Sequence, residues 1–219
     1  MTTPKEAPAV CPVCRTLAPE HFLSIDGQDY WCCGACEARF LDPRHWRTRE
    51  QERAHYLLHE NDPGDVRYRA FLAKLAEPLL AKLGPAMGGL DYGCGPGPAL
   101  AEMLREAGHA MVLYDPFFHA DPQALLQTYD FITCTEVAEH FRQAADEFDR
   151  LDRMLRPGGW LGVMTCFQTD DARFANWHYR KDPTHVVFYR EATLQWIAAQ
   201  RGWTCEIPVK DVALMHKPM

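Results

Sequence analysis

The feature that most constrains what this chain can fold into is a rhythm that begins at residue 88. Short β-forming runs alternate with helical stretches, and the first run leads into "LDYGCGPGPAL", an acid followed by glycines on alternate positions: Asp91, Gly93, Gly95 and Gly97. Strand, glycine loop, helix, strand is the pattern of a doubly wound, parallel α/β sheet whose ligands bind beyond the carboxyl ends of the strands. It predicts strands at 88–92, 110–114, 129–134, 160–165, 203–208 and 211–216. Helices are expected near 98–107, 121–127, 141–155 and 191–201, the third of them stopped by Pro157-Gly158-Gly159. A dinucleotide fingerprint places its third glycine three positions after the second, and Pro98 stands there instead.

A second constraint lies at the front. "CPVCRTLAPEHFLSIDGQDYWCCGAC" holds two C-x-x-C pairs, Cys11/Cys14 and Cys33/Cys36, with 18 residues between them. Two such knuckles can deliver four thiolates to tetrahedral zinc, and four protein ligands close the ion to chemistry, so a zinc here is structural. Asp26-Gly27 between β-forming residues predicts a hairpin joining the knuckles. Cys32 could replace Cys33 through a longer spacing, but the alternation of Tyr30 and Cys32 favours Cys33 as the ligand. Cys94, Cys134, Cys166 and Cys205 scatter through apolar runs, as small core residues do.

Two helices link these parts. Thr48 with Gln51 forms a capping-box pattern ahead of a helix that stops before Asn61-Asp62-Pro63-Gly64, with His55 and His59 on one face. The next, "VRYRAFLAKLAEPLLAKLG", carries Phe71, Leu75, Leu79 and Leu83 on one stripe, with a kink expected at Pro78. The organisation expected is therefore a zinc module over 1–45, a helical linker or lid over 46–84, and an α/β domain over 85–219. With 219 residues and 47% hydrophobic content the chain can bury one full-sized domain and a small attachment. A net charge of −7 disfavours a broad nucleic-acid face. No run of about 18 apolar residues is available to cross a membrane, and no secretory leader pattern opens the chain, so a cytoplasmic protein is expected.

The glycine loop resembles motif I of the class I S-adenosylmethionine (SAM)-dependent methyltransferases, and three later stretches follow in the order that family shows. "LYDP" places Asp115 where those enzymes hold ribose hydroxyls with a carboxylate. "YDFITCTEVAEH" resembles their fourth motif, and "MLRPGGWLGVMT" their loop before the fifth strand and that strand itself; the resemblance covers about residues 65 to 216. It implies a Rossmann-like sheet, SAM as cofactor, and Asp91, Gly93, Gly95, Gly97, Asp115 and Glu136 as the residues that hold it. SAM carries an ammonium-carboxylate tail and no phosphate, which suits bare backbone with an acid beside it. Only 15 positions separate Asp115 from Asp130, too few for the usual third strand and its helix. A sheet lacking that strand is expected, with Asp121 the one acid left to meet the adenine.

On the acceptor side, "TEVAEHF" carries Glu136, Glu139 and His140 at helical spacing, and His178 and His185 follow later. This is similar to the E-x-x-E-H segments of two metal-assisted families, the small-RNA 3′-end 2′-O-methyltransferases and the 3-demethylubiquinone-type O-methyltransferases. The resemblance implies Glu136, Glu139, His140 and His185 as ligands of Mg²⁺ or another divalent ion. Without metal, Glu136 and His140 would shape the pocket and His185 would act as a general base. Catalytic roles thus fall to Glu136, His140 and His185 on either reading. Trp160, Phe167, Phe174, Trp177, Tyr179, Phe188 and Tyr189 crowd this region, more as packing than as a stacking platform. Arg173, Arg180, Lys181 and Arg190 suggest a basic patch for a carboxylate or phosphate. Acidic net charge tips the expected acceptor to a small molecule methylated on oxygen, with an RNA acceptor or a noncatalytic SAM-binding adaptor as alternatives. The oligomeric state is not readable from the sequence.

Overall fold

The computed structural model describes residues 8–58 and 62–219. Three short strands come first: β1 (Glu20–Ile25), β2 (Gln28–Cys32) and β3 (Arg39–Leu41). Asp26 and Gly27 form the two-residue turn between β1 and β2, both at positive φ (53° and 75°), which is the twist a tight hairpin needs. Helix α1 (Arg49–Tyr56) carries the expected capping box: Thr48 accepts from the Gln51 N–H while the Gln51 side chain accepts from the Thr48 N–H. His59 lies outside the described residues. Helix α2 (Val66–Leu80) runs through Pro78 and buries Leu72, Leu75, Ala76 and Leu79.

The alternating region then gives β4 (Gly88–Tyr92), α3 (Ala99–Glu106), β5 (Ala110–Tyr114), β6 (Tyr129–Thr135), α4 (Ala144–Met154), β7 (Leu155–Met164), β8 (Val187–Phe188), α5 (Glu191–Gln200), β9 (Thr204–Glu206) and β10 (Val212–His216). Six of these make one sheet in the order β5-β4-β6-β7-β10-β9, its first four strands parallel. The parallel expectation fails at the far edge, where β10 runs antiparallel to both β7 and β9. Only five residues join β9 to β10, too few for the crossover a parallel neighbour requires. Between β5 and β6 there is no strand, and the helix expected over 121–127 is a 3-10 turn, Pro122–Leu126. The missing third strand is thus borne out, and β5 is a sheet edge among the described residues.

Residues alternate between the two faces of this sheet, as the pleat demands. On β10, Val212 and Leu214 join one core with α2 and α3, while Ala213 and Met215 join the other with α4 and α5. That second core also takes in Cys11, Tyr30, Trp31, Phe40 and Leu41, so the N-terminal strands pack directly on the α/β part. The joint goes further: β3 pairs with β8, completing a four-stranded antiparallel sheet β1-β2-β3-β8. No helix among the described residues is long and apolar enough to cross a membrane.

Candidate functional site

A cleft of about 840 Å³ opens at the carboxyl ends of β4, β5 and β6. Its floor at one end is the glycine loop. Gly93 and Gly95 sit at φ 81° and 65°, in the region that side chains disfavour. A Cβ on Gly93 would stand 2.4 Å from the Val137 side chain, so the loop can lie against the β6 exit only as glycine. Gly93 and Cys94 both donate to the Tyr114 carbonyl, at 2.7 and 3.2 Å, which ties the loop to the end of β5. Asp91, at the end of β4, accepts from the Thr133 hydroxyl at 2.8 Å. Burial pushes its carboxyl up to about 6, although Thr133 and Arg105 pull the other way.

Asp115 links the same loop to the next turn. One carboxylate oxygen accepts from the Gly95 N–H at 3.1 Å, the other from Phe117 and Phe118 at 2.8 and 3.1 Å. A carboxylate has about four acceptor positions, so it can hold this turn and still meet hydroxyls in the cleft. Asp121 has another job: exposed, it accepts from Gln123 N–H at the start of its 3-10 turn, and it does not line the cleft. Phe117 lines this end instead, under the Arg49 guanidinium and edge-on to Tyr56 at 5.4 Å. Helix α1 therefore spans the cleft mouth.

At the other end Glu136, Glu139 and His140 leave β6 through a strained turn, with Glu136 itself at φ 53°. Glu139 is fully buried: its Oε2 accepts from the Thr165 hydroxyl at 2.9 Å, while its Oε1 has no hydrogen-bond partner among the described residues. That oxygen lies 3.9 Å from His140 Nε2 and 3.9 Å from His185 Nε2. Each imidazole turns its other nitrogen to a backbone carbonyl, His140 to Thr184 (3.1 Å) and His185 to Tyr179 (2.7 Å). A carbonyl can only accept, so both Nδ1 atoms carry a proton, and both Nε2 atoms face Glu139. One buried carboxylate oxygen and two such imidazoles, all within 4.8 Å, fit a divalent ion about 2.1 Å from each after drawing in by roughly 1 Å.

Of the four ligands the sequence implied, three therefore converge. Glu136 does not: its Oε2 accepts from the Tyr179 hydroxyl at 3.3 Å, in the same cleft but outside the group. Burial first, then the Glu139 charge, pushes its carboxyl up to about 9. Burial also lowers the His185 imidazole below its ordinary range, against the pull of Glu139. Tyr56 and Asp182 join the site without having been named for it, and Tyr179, expected in this region as a packing aromatic, lines the cleft. Tyr179 packs on the His185 ring at 4.1 Å, Tyr56 stands edge-on to His140 at 5.3 Å, and Asp182 receives His55 at 3.1 Å. Only the Asp-Pro-Thr turn at 182–184 could have signalled the last.

The basic patch is corrected. Arg180 is buried against the N-terminal hairpin, and Arg190 is spent on Asp171, Glu37 and Gln168. Phe174, Phe188 and Tyr189 are core, as expected of packing aromatics.

The front cysteines gather as well. Cys14 and Cys33 sulfurs lie 3.4 Å apart, Cys11 and Cys36 3.7 Å, and all four are within 4.8 Å of one another. Sulfurs about 2.3 Å from a shared zinc stand roughly 3.8 Å apart in a tetrahedron, so the group fits that ion. The two knuckles repeat one geometry: Arg15 and Glu37 both sit at φ 60° and return their N–H to the Cys11 and Cys33 carbonyls. Cys32 is excluded from the group.

Among curated proteins no sequence matches this one. In fold the chain is similar to the 1,6-didemethyltoxoflavin-N1-methyltransferase of Burkholderia thailandensis, solved with bound 1,6-didemethyltoxoflavin and S-adenosylhomocysteine (TM-score 0.57, 17% identity, 91% of this chain and 100% of that one). It is also similar to the magnesium protoporphyrin IX methyltransferase of Synechocystis PCC 6803, solved with bound S-adenosylhomocysteine (TM-score 0.52, 13% identity, 80% and 96%). A family model described as a methyltransferase domain matches residues 65–206, well over half the chain. The chain belongs to the methyltransferase domain family, on the Rossmann-like sheet of the SAM-dependent class I enzymes.

Proposed function

We propose that this protein transfers a methyl group from SAM to an oxygen of a small molecule held beside Glu139, His140 and His185. One observation carries the reading: a single cleft joins a backbone cradle with two acids at one end to a buried carboxylate flanked by two imidazoles at the other. Asp91, Gly93, Gly95, Gly97 and Asp115 would hold the cofactor. Bound SAM would supply the sulfonium methyl for in-line displacement by the acceptor oxygen, with S-adenosylhomocysteine as the leaving group and the acceptor's proton passing to a base. The Nε2 atoms of His140 and His185 face this end of the cleft and would take it, while Tyr179 and Glu136 shape the wall. Most of the acceleration comes from holding the two partners together. Glu139, with His140 and His185 through those same Nε2 atoms, would instead hold a divalent ion; it would supply Lewis acidity to an acceptor hydroxyl, whose proton would then pass to solvent. Zinc at Cys11, Cys14, Cys33 and Cys36 would fix the fold of the N-terminal module.

A small-molecule acceptor is favoured over RNA because two arginines of the expected basic patch, Arg180 and Arg190, are consumed by internal pairs. Calorimetric titration with SAM, S-adenosylhomocysteine and NAD, with and without EDTA, tests the core of this reading. Micromolar binding of the first two, lost in Asp91→Ala, supports it. Binding of neither by zinc-loaded protein would overturn the methyl-donor reading, whereas binding without turnover across an acceptor screen would favour the noncatalytic adaptor.

A further inference from the structure

The segment after β7 carries Tyr179, Asp182 and His185 on little more than two 3-10 turns, Asp171–Asn176 and Tyr179–Lys181. Such turns hold themselves poorly. The N-terminal module holds this one instead. Arg39 clasps Asp171 through Nε and Nη2 at 3.2 and 2.8 Å, and buried Phe174 sits edge-on to Phe22 and Tyr30, each at 5.1 Å. At the other end the Leu41 N–H donates to the Val186 carbonyl, and the Val186 N–H to the Glu139 carbonyl, both at 2.8 Å.

Between these anchors lies Arg180, 4% exposed in a protein where a buried arginine needs partners to exist. Its Nη2 donates to Asp26 at 2.9 Å, its Nη1 to the Tyr30 hydroxyl at 3.2 Å, and its Nε to the Ala175 carbonyl at 3.1 Å. Asp26 is the first residue of the β1–β2 turn. The neighbour of Arg180 is Tyr179, whose carbonyl receives the His185 Nδ1–H. A chain of contacts thus runs from the hairpin turn, through the guanidinium and one peptide unit, to the imidazole whose Nε2 faces Glu139.

We infer that Arg180 is a positioning residue for the acceptor side: gripped by Asp26 and Tyr30, it fixes the Tyr179 carbonyl, and that carbonyl fixes the tautomer and aim of His185. Partners of this kind, one step removed from the group that acts, set which ring nitrogen is free. The module then serves the site as well as the fold. This rests on the reading that Glu139, His140 and His185 face the acceptor, but its test does not need the acceptor.

Long-range ¹H–¹⁵N NMR of the zinc-loaded protein reads the imidazole directly. The wild type is expected to hold His185 in the single Nδ1–H tautomer, Arg180→Met to show both tautomers, and Arg180→Lys to recover most of the single form. Affinity for S-adenosylhomocysteine should stay within about twofold throughout, since no contact of Arg180 reaches the glycine loop. An unchanged His185 signal in Arg180→Met, or mixed tautomers in the wild type, overturns the inference. If Arg180→Met loses its fold, Asp26→Gly, which keeps the left-handed turn and removes the exposed carboxylate, replaces it: mixed tautomers support the inference and an unchanged signal overturns it. Failure of the wild type to bind S-adenosylhomocysteine would instead strike the proposed function and leave the tautomer result to judge Arg180.

Discussion

The two ends of the cleft are built in opposite ways. The proposed cofactor end is local: Asp91 to Gly97 is one turn, and Asp115 reaches it from the adjacent strand through a single backbone N–H. The acceptor end draws on β6, β7, the 3-10 segment, α1 and the N-terminal module, and its key atoms are placed by carbonyls of Thr184 and Tyr179. A local cradle tolerates change elsewhere in the molecule. An assembled one inherits the stability of every part that supports it.

The largest expected effect would set the two ends apart most sharply. Cys36→Ser removes one of four thiolates from the front cluster, and structural zinc sites of this kind contribute several kcal/mol to folding. Bound zinc should fall well below one per chain by elemental analysis, and the near-ultraviolet circular dichroism of Trp31 should weaken. Binding of S-adenosylhomocysteine should persist; its complete loss would mean that the cofactor end depends on the module after all.

Gly93→Ala attacks the local end. Positive φ and a Cβ 2.4 Å from Val137 together should cost about 2 kcal/mol, or roughly 30-fold in S-adenosylhomocysteine affinity by calorimetry. The His185 tautomer should not change. A smaller effect comes from pH. Because burial raises the Asp91 carboxyl to about 6, its proton is bound more tightly in the folded state than in the unfolded one. Its charged form therefore costs stability, a cost absent below the ordinary carboxylate range, growing from there to about pH 6, and constant above. Cofactor binding has the opposite sense. An ammonium needs the ionised acid, so affinity should fall up to about tenfold per pH unit below 6 and be flat above it. A flat profile down to pH 5 would show that Asp91 is not the ammonium's partner. The smallest effect is expected from Thr48→Ala, which removes the cap of α1. About 1 kcal/mol of helix stability should be lost, read as faster hydrogen exchange in α1 and a few-fold weaker cofactor binding, with little change in melting temperature.

The same contrast explains what the sequence made legible. Asp91 and its glycines are readable because the backbone conformation they need is encoded where it is used. The hairpin at Asp26-Gly27, the capping box at Thr48 and the absence of a third strand between Asp115 and Asp130 are readable for that reason too. Asp121 misleads because a polar residue before proline caps a turn as readily as it meets a ligand. Arg180 looks like a free cation in the sequence because its partners, Asp26 and Tyr30, lie some 150 residues away. Glu136 shares its spacing with Glu139, and only the left-handed turn at Glu136 sends it to Tyr179 and away from the imidazoles. Side-chain spacing reports which residues can meet, and backbone strain decides which do.

The pairing of β3 with β8 has a further consequence, for the order in which the chain can be made. Its two strands are separated by about 150 residues, so on a ribosome adding about 5–20 residues each second the edge of β3 stays open for roughly 7 to 30 s. During that interval the front cysteines are already available to a metal ion, but the strand that leads out of His185 has not been synthesised. The proposed acceptor end is therefore completed late in synthesis, and a chaperone that shields the open edge of Arg39, Phe40 and Leu41 would be guarding the site before it exists.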